Sequence, residues 1–156
     1  MKKYICILIV YILLNSPKAS AQSSEDSIKA VINQMFTAMK NADAASLKNA
    51  FADSAVLQSI SRTPDGKTIV KNEPISAFIE IVGKQPAGAS DERISFESVK
   101  TDGQLASVWT PYEFYYNGQL HHCGVNSFQL VKINNNWKIQ YVIDTRRKDG
   151  CPVENK

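Results

Sequence analysis

The spacing of apolar residues in the first part of the chain predicts α-helices. Apolar side chains recur at steps of three and four residues over 25–41, namely at Ile28, Val31, Ile32, Met35, Phe36 and Met39. This spacing places them on one face of an amphipathic helix. A shorter helix is predicted after Asp43, with an apolar face formed by Leu47, Ala50 and Phe51.

Two short strands and a third helix are predicted next. Residues 55–60 and 68–70 have strand character and are separated by a turn that contains proline and glycine. The third helix has Pro74 in its first turn and ends at Gly83. Residues 85–90 are rich in small residues and proline, so they predict a loop that could act as a lid.

Long strands account for the second half. They are residues 93–101, 104–116, 119–133 and 137–147, joined by turns at Asp102-Gly103, Asn117-Gly118 and Asn134-Asn135-Asn136. Helices first and strands afterwards predict an α+β domain in which a four-stranded antiparallel meander carries the helices on one face. Strands of this length must bend, and we expect the bends at Pro111 and Gly124.

Hairpin geometry predicts which residues face each other across these strands. A two-residue turn that pairs Tyr116 with Gln119 sets Glu113 across from His122, Tyr112 from Cys123 and Trp109 from Asn126. An asparagine turn that pairs Ile133 with Trp137 sets Asn126 across from Asp144 and Gly124 across from Arg146. One sheet face then carries Trp109, Glu113, His122, Asn126, Asp144 and Arg146. A bulge at Pro111 or Gly124 would shift part of this set and bring Tyr112 in.

This cluster of polar and aromatic residues has two interpretations. It could line a small-molecule pocket, which needs an apolar wall and a few convergent polar groups. Alternatively, the face is exposed to solvent, with Asp144 and Arg146 as a surface ion pair. The opposite face is apolar enough to pack against the helices, which would leave the polar cluster outside: Val125, Trp137, Ile139, Tyr141 and Ile143.

The first 21 residues have the order of a secretory signal peptide. Two lysines precede an apolar run over residues 4–14, and small residues at Ala19 and Ala21 predict cleavage after Ala21. The run is too short to span a membrane. We therefore expect a periplasmic or secreted protein with a single domain over residues 22–156 and no membrane contact after cleavage.

Charge and motifs exclude several functions. The first 21 residues carry three of the 18 lysine and arginine residues and none of the 15 acidic residues, so the predicted mature chain has a formal net charge of zero. No nucleic-acid partner is expected from such a chain. The sequence has no glycine-rich phosphate loop, no nucleophile elbow and no metal-ligand spacing, so neither a metal nor another cofactor is expected.

The order of elements resembles the nuclear-transport-factor-two-like superfamily of cone-shaped α+β barrels. Four segments look like its exported SnoaL-like and putative lumazine-binding members: 109–114 (WTPYEF), His122-Cys123-Gly124-Val125, Trp137-Lys138-Ile139 and Asp144-Thr145-Arg146-Arg147. The resemblance implies a curved antiparallel sheet wrapped around the N-terminal helices, as in cystatin-like and SnoaL-like folds, with a pocket inside the cone. It also implies that His122 with Asp144 could supply a general base and its orienting partner, and that the sheet could form a homodimer.

The two cysteines of the predicted mature chain are candidates for a disulfide. The predicted pairing places Cys123 near Arg147, and a bend at Gly150 would bring the Cα atoms of Cys123 and Cys151 within bonding range. The alternative is a buried free thiol at Cys123.

Three functions are compatible with these expectations. The chain could bind a small, partly aromatic ligand, held against its aromatic side chains and fixed at its polar edge by the cluster: Trp109, Tyr112, Glu113, His122, Asn126, Asp144 and Arg146. It could instead be a lyase or isomerase that abstracts a proton through His122 with Asp144. It could also be a scaffold that dimerises through its sheet. The first of these hypotheses, ligand binding, predicts a closed and largely apolar cavity.

Overall fold

The fold is given by a computed structural model that describes residues 18–151, with side chains from residue 24 onward. The elements of this part of the chain are α1 (Lys18–Lys40), α2 (Ala44–Ala50), β1 (Phe51–Arg62), β2 (Thr68–Glu73), α3 (Ile75–Gly83), β3 (Ser90–Ile94), β4 (Ser98–Asp102), β5 (Leu105–Tyr116), β6 (Gln119–Ile133) and β7 (Asn136–Arg147). Residues 1–17 of the predicted signal peptide lie outside the described residues, and 18–21 belong to the start of α1. None of the helices over 18–151 combines the length and the apolar character that a membrane crossing needs.

The strands form one curved sheet in the order β2-β1-β7-β6-β5-β3, and β4 also pairs with β5. Strand β1 runs parallel to β7, whereas the other pairings are antiparallel. The predicted antiparallel meander is therefore extended by the β1–β2 hairpin through one parallel contact. Phe51, which was expected on the second helix, begins β1.

The predicted strand over 93–101 is broken into β3 and β4 at residues 95–97. This break lies across from Pro111 of β5, which has no N–H to donate to a neighbouring strand. The N–H of Ser95 still donates to the Pro111 carbonyl oxygen at 3.0 Å, so the chain stays against β5. The register of β5 with β6 runs without a shift through both Pro111 and Gly124, so the bulges of the long strands lie at neither expected site.

The core lies between α1 and one face of the sheet, which confirms the predicted α+β arrangement with helices on one side. Helix α1 contributes its periodic apolar residues, Ile28, Ile32, Met35, Phe36 and Met39. The sheet contributes Val108, Phe128, Leu130, Trp137, Ile139 and Val142. The rings of Phe36 and Phe128 meet edge to face with centroids 6.2 Å apart, a preferred aromatic geometry.

Candidate functional site

A cavity of about 320 Å³ lies between α1, α3 and the helix-covered face of the sheet. Its apolar wall is formed by Met35, Phe36, Met39, Phe51, Leu57, Phe78, Ile81, Val82, Phe114, Phe128 and Val142. Its polar wall is formed by Glu73, Gln85, Ser90, Glu92, His121, His122, Asn126, Asp144 and Arg146. The polar strand residues therefore share the face that the helices cover, which favours the pocket interpretation of the predicted cluster over the solvent-exposed one.

One extra residue in β6 decides which side chains of β5 face the cavity. The two-residue turn pairs the strand ends as predicted, but His121 has no partner on β5. Beyond this bulge, Phe114 lies across from His122 and Tyr112 lies across from Gly124. Because a shift of one residue moves side chains to the other sheet face, Tyr112 now belongs to the cavity face.

The same shift places two predicted site residues elsewhere, so the predicted register of Trp109 and Glu113 is wrong. Trp109 lies across from Ser127 on the outer sheet face and is 45% exposed. Glu113 accepts a hydrogen bond from the Tyr115 hydroxyl at 2.8 Å. Neither side chain lines the cavity.

The predicted pairs Asn126–Asp144 and Gly124–Arg146 are confirmed. The asparagine turn pairs Ile133 with Asn136, one residue earlier than the expected Trp137. This difference alone would have shifted both pairs by one residue. A one-residue bulge at Gln140 on β7 offsets this difference and restores the predicted register.

The bulge at Gln140 also explains how apolar and polar residues of β7 come to share one face. Trp137 and Ile139 precede the bulge and were expected opposite the polar cluster. Both are buried in the core with Val142, on the same side as Asp144. Val125, Tyr141 and Ile143 belong to the other face and are only half-buried.

Asp144 is the centre of a buried hydrogen-bond network. Its carboxylate accepts a hydrogen bond from the Ser59 hydroxyl at 2.5 Å on Oδ1. On Oδ2 it accepts the Tyr112 hydroxyl at 3.1 Å and the Arg146 Nε at 2.8 Å. The Tyr112 hydroxyl also lies 3.0 Å from the Thr145 carbonyl oxygen. Asp144 is only 5% exposed, and its three hydrogen-bond donors compensate the free-energy cost of burying the carboxylate.

The partners of Asp144 are held in their donor forms. Burial, followed by the negative charges of Asp144 and Glu92, raises the pKa of Tyr112, so the phenol stays protonated. Burial opposes the charge of Arg146, but the hydrogen bond and the charge of Asp144 outweigh it and raise the pKa of the guanidinium. The network therefore pairs one negative and one positive group at neutral pH.

Glu92 is a second carboxyl group on the polar wall, and the sequence did not single it out. The Asn126 side-chain Nδ2 donates to Glu92 Oε1 at 2.8 Å. Burial raises the pKa of Glu92 to about 7, the charge of Asp144 acts in the same direction, and the hydrogen bond from Asn126 opposes it. Glu92 was missed because it lies between the loop predicted over 85–90 and the strand predicted from residue 93, whereas the strand begins at Ser90.

His122 reaches the cavity wall without forming the predicted pair with Asp144. Its Nδ1 lies 2.8 Å from Nδ1 of His121, and its ring packs 4.9 Å from the Phe114 ring. Burial, together with the positive charge of Arg146, lowers the pKa of His122 to about 4. Within residues 24–151, no hydrogen bond joins His122 to Asp144.

Cys123 and Cys151 form a disulfide, with Cα atoms 5.6 Å apart. Cys123 follows His122 in β6 and lies across from Arg147. The bond ties the chain beyond β7 to the strand that carries the polar wall, as the register and the bend at Gly150 predicted.

The chemistry of the walls suits an organic molecule better than a metal ion. Among the residues from 18 to 151, no three His, Cys, Asp or Glu side chains are grouped closely enough to hold a metal. Aromatic rings on one side and amide, carboxyl and guanidinium groups on the other can hold a small molecule with an apolar body and a polar edge.

Comparisons with known proteins agree with this architecture. Residues 23–141 match the model of a protein family described as putative lumazine-binding. No curated protein matches the chain. An NTF2-like protein of unknown function from Shewanella baltica is 16% identical, with a TM-score of 0.65 over 86% of this chain and 100% of its own.

Two further solved structures share the fold. An NTF-2 like protein of unknown function from Silicibacter pomeroyi is 16% identical, with a TM-score of 0.64 over 81% of this chain and 98% of its own. A domain of unknown function with a cystatin-like fold from Nostoc punctiforme is 18% identical, with a TM-score of 0.62 over 80% of this chain and 78% of its own. At these identities the likeness establishes the fold.

Proposed function

Because this chain belongs to the putative lumazine-binding family, we propose that it binds a small, partly aromatic molecule in the cavity between α1, α3 and the sheet. The observation that carries the proposal is the division of the cavity walls. Phenylalanine and methionine side chains form one side, and the Glu92–Asn126 pair with the Asp144–Arg146 pair forms the other. A cavity of about 320 Å³ is in the size range of ligand sites.

The two walls have different roles in this proposal. The rings of Phe78 and Phe114 line the cavity and are only partly buried, so they offer apolar surface to an aromatic ring. The polar wall fixes the orientation of the ligand through groups that are already positioned by the sheet. Since Asp144 is held by three donors, little reorganisation is needed on binding.

A cavity-blocking variant tests this proposal. Leu57 lines the cavity, whereas its neighbour Val56 lies on the same strand and is 43% exposed. We expect Leu57→Trp to abolish a non-covalent adduct seen by native mass spectrometry, and Val56→Trp to retain it. Lumazine, which the family description names, is the first defined probe and can be titrated against both variants by fluorescence.

The matched pair of variants separates a cavity ligand from surface binding. Both variants are first checked for a cooperative thermal transition, so that a loss of ligand is not a loss of fold. An adduct or a lumazine affinity that is equal in Leu57→Trp and Val56→Trp would contradict binding in the cavity.

We further propose that the protein is exported and that its signal peptide is removed after Ala21. The disulfide between Cys123 and Cys151 supports this, since such bonds persist in oxidising compartments. Intact mass of the protein recovered from the periplasm or the medium tests the proposal. We expect the mass of a chain that begins at Gln22. The mass of a chain that still begins at residue 1 or 2 would contradict the proposal.

A homodimer formed through the outer sheet face is also part of the proposal. Trp109, Ser127 and Ile143 lie side by side across three strands on that face. The 45% exposure of Trp109 supports an apolar contact there. Light scattering of the wild type should give a dimer mass, and Trp109→Glu should give a monomer that keeps its ligand. A monomeric wild type would refute the dimer alone.

A further inference from the structure

Next to Asp144, two acceptor atoms of the polar wall have no partner in the described part of the chain. Asn126 donates to one oxygen of Glu92, which leaves Glu92 Oε2 and the Asn126 Oδ1 without a hydrogen bond from residues 24–151. The carboxylate of Asp144, by contrast, already accepts three hydrogen bonds. Beside the saturated carboxylate of Asp144, Glu92 and Asn126 therefore keep acceptor atoms for a ligand.

The charges of the polar wall disfavour an anion. Arg146 donates its Nε–H to Asp144, so its positive charge is shared with that carboxylate. Glu92 adds a further carboxyl group next to this pair, and Glu73 adds another at the cavity wall. Arg146 is the only lysine or arginine among the described residues that line the cavity, so a ligand carboxylate or phosphate would meet more carboxyl groups than cationic ones.

We propose that Glu92 and Asn126 determine which ligands the cavity binds. They accept hydrogen bonds from the N–H groups of an uncharged aromatic carboxamide or lactam. The outer N–H groups of Arg146 lie on the same wall and suit the carbonyl oxygen that such ligands carry next to the N–H. This inference rests on the proposed function, since it names the class of ligand for the same cavity.

The electrostatics of Glu92 agree with this role. Burial raises its pKa to about 7, and the hydrogen bond from Asn126 only partly opposes this shift. The groups that face it are Tyr112 from β5, Asn126 from β6, and Asp144 and Arg146 from β7. A ligand N–H would supply the donor that the carboxylate lacks.

Three probes that share a naphthalene ring test the inference. 2-Naphthamide carries N–H donors and a carbonyl, 2-naphthoate carries the negative charge without a donor, and N,N-dimethyl-2-naphthamide keeps the carbonyl but lacks the N–H groups. At about pH 8, where Glu92 is ionised, we expect the wild type to bind 2-naphthamide about tenfold more tightly than either of the other two, as hydrogen bonds to a charged acceptor allow. Chemical-shift titrations of the labelled protein measure all three affinities.

Glu92→Gln identifies the group that discriminates. The amide keeps the volume of the side chain but removes its charge and adds a donor, so the preference for 2-naphthamide over 2-naphthoate should fall severalfold. Glu97→Gln, an exposed glutamate between β3 and β4, should keep the wild-type ratio. A cooperative unfolding transition in both variants shows that they are folded.

Several outcomes would overturn the inference. They are equal binding of the three probes by the wild type, an unchanged ratio in Glu92→Gln, or the absence of 2-naphthamide binding. Equal binding that Leu57→Trp abolishes would leave the cavity as a ligand site and remove only the proposed ligand class. If none of the probes bound and native mass spectrometry showed no adduct, the proposed function would fail as well.

Discussion

Gly124 shows at the scale of one residue how the polar wall is assembled. A Cβ built on this glycine would lie 1.8 Å from the Thr145 carbonyl oxygen and 2.8 Å from Cε1 of Tyr112. The lack of a side chain lets the Tyr112 ring lie across β6, so that its hydroxyl reaches Asp144 on β7. The close approach involves backbone as well as a ring, so a side chain here cannot be relieved by a simple rotation.

Gly124→Ala should therefore destabilise the protein and disturb the site together. We expect a loss of about 1–3 kcal/mol in the free energy of unfolding, as overpacked positions show, and a displaced Tyr112. Urea denaturation measures the loss, and tyrosine ring signals in NMR spectra report the displacement. Gln129→Ala, at an exposed position of the same strand, is the control. Equal stability of the two variants would show that the strands separate without cost.

Ser59 makes the most buried contact of the Asp144 network. It is 2% exposed, and its hydroxyl is the donor to Oδ1 of Asp144. Ser59→Ala should cost about 1.5–3 kcal/mol in unfolding free energy, the range for a hydrogen bond to a charged group. Ser61→Ala is the matched control on the same strand, since no hydrogen bond is formed by the Ser61 side chain within residues 24–151. Indistinguishable denaturation curves for the two variants would argue against the Ser59–Asp144 bond.

At the scale of elements, the sequence predicted the long strands but neither of the two bulges, at His121 and Gln140. Alternation and turn residues predicted β5, β6 and β7 and the pairs Asn126–Asp144 and Gly124–Arg146 correctly. The bulge at His121 could not be placed, because no glycine or proline marks it, and one shifted residue exchanges the faces of a whole strand. For that reason Trp109 was predicted to belong to the site, whereas Tyr112 was predicted there only if the strand contained a bulge.

The disulfide joins the chain just beyond β7 to Cys123 of β6. It closes a loop with a sequence separation of 28 residues, for which the chain-entropy model gives about 3–4 kcal/mol of stabilisation. Cys151→Ser should therefore lower the unfolding free energy by an amount of this order. The variant leaves Cys123 as a buried thiol, since that residue is 0% exposed.

Urea denaturation with and without reductant measures the effect of the disulfide. The reduced wild type and the Cys151→Ser variant should unfold at the same urea concentration, and the oxidised wild type at a higher one. Intact mass after alkylation is an independent check. Two alkylated cysteines in unreduced mature protein would show that the bond is not formed.

At the scale of the whole molecule, the fold was more predictable than the site. Helical periodicity, hairpin turns and the order of elements were sufficient for an α+β cone, because these signals are repeated along the chain. The site depends on single residues that several elements bring together. Glu92 from β3 and Ser59 from β1 meet the predicted residues of β6 and β7 only through the curvature of the sheet and the β1–β7 contact, which no local pattern encodes.

The same convergence makes the stability of the whole molecule depend on pH in two opposing ways. The pKa of Glu92 rises from its ordinary 4.5 to about 7 on folding, so the folded state binds the proton more tightly and stability is lost as pH rises through about 7. The pKa of His122 falls from 6.5 to about 4, so the folded state binds the proton less tightly and stability is lost as pH falls from about 6.5 to about 4. Between about pH 4.5 and about pH 6.5 the two contributions oppose each other.

Glu92→Gln isolates one of these contributions, because the amide does not titrate. The unfolding free energy of the variant minus that of the wild type should increase between about pH 5 and about pH 8, as the wild type loses the stability of its protonated Glu92. Subtraction removes the titration of every other group, including His122, as long as the variant leaves their environments unchanged. Urea denaturation of both proteins at about pH 5, about pH 6.5 and about pH 8 measures the difference. A difference that stays constant across this range would mean that Glu92 titrates as an ordinary surface carboxyl, and it would remove the electrostatic support for a ligand N–H at that position.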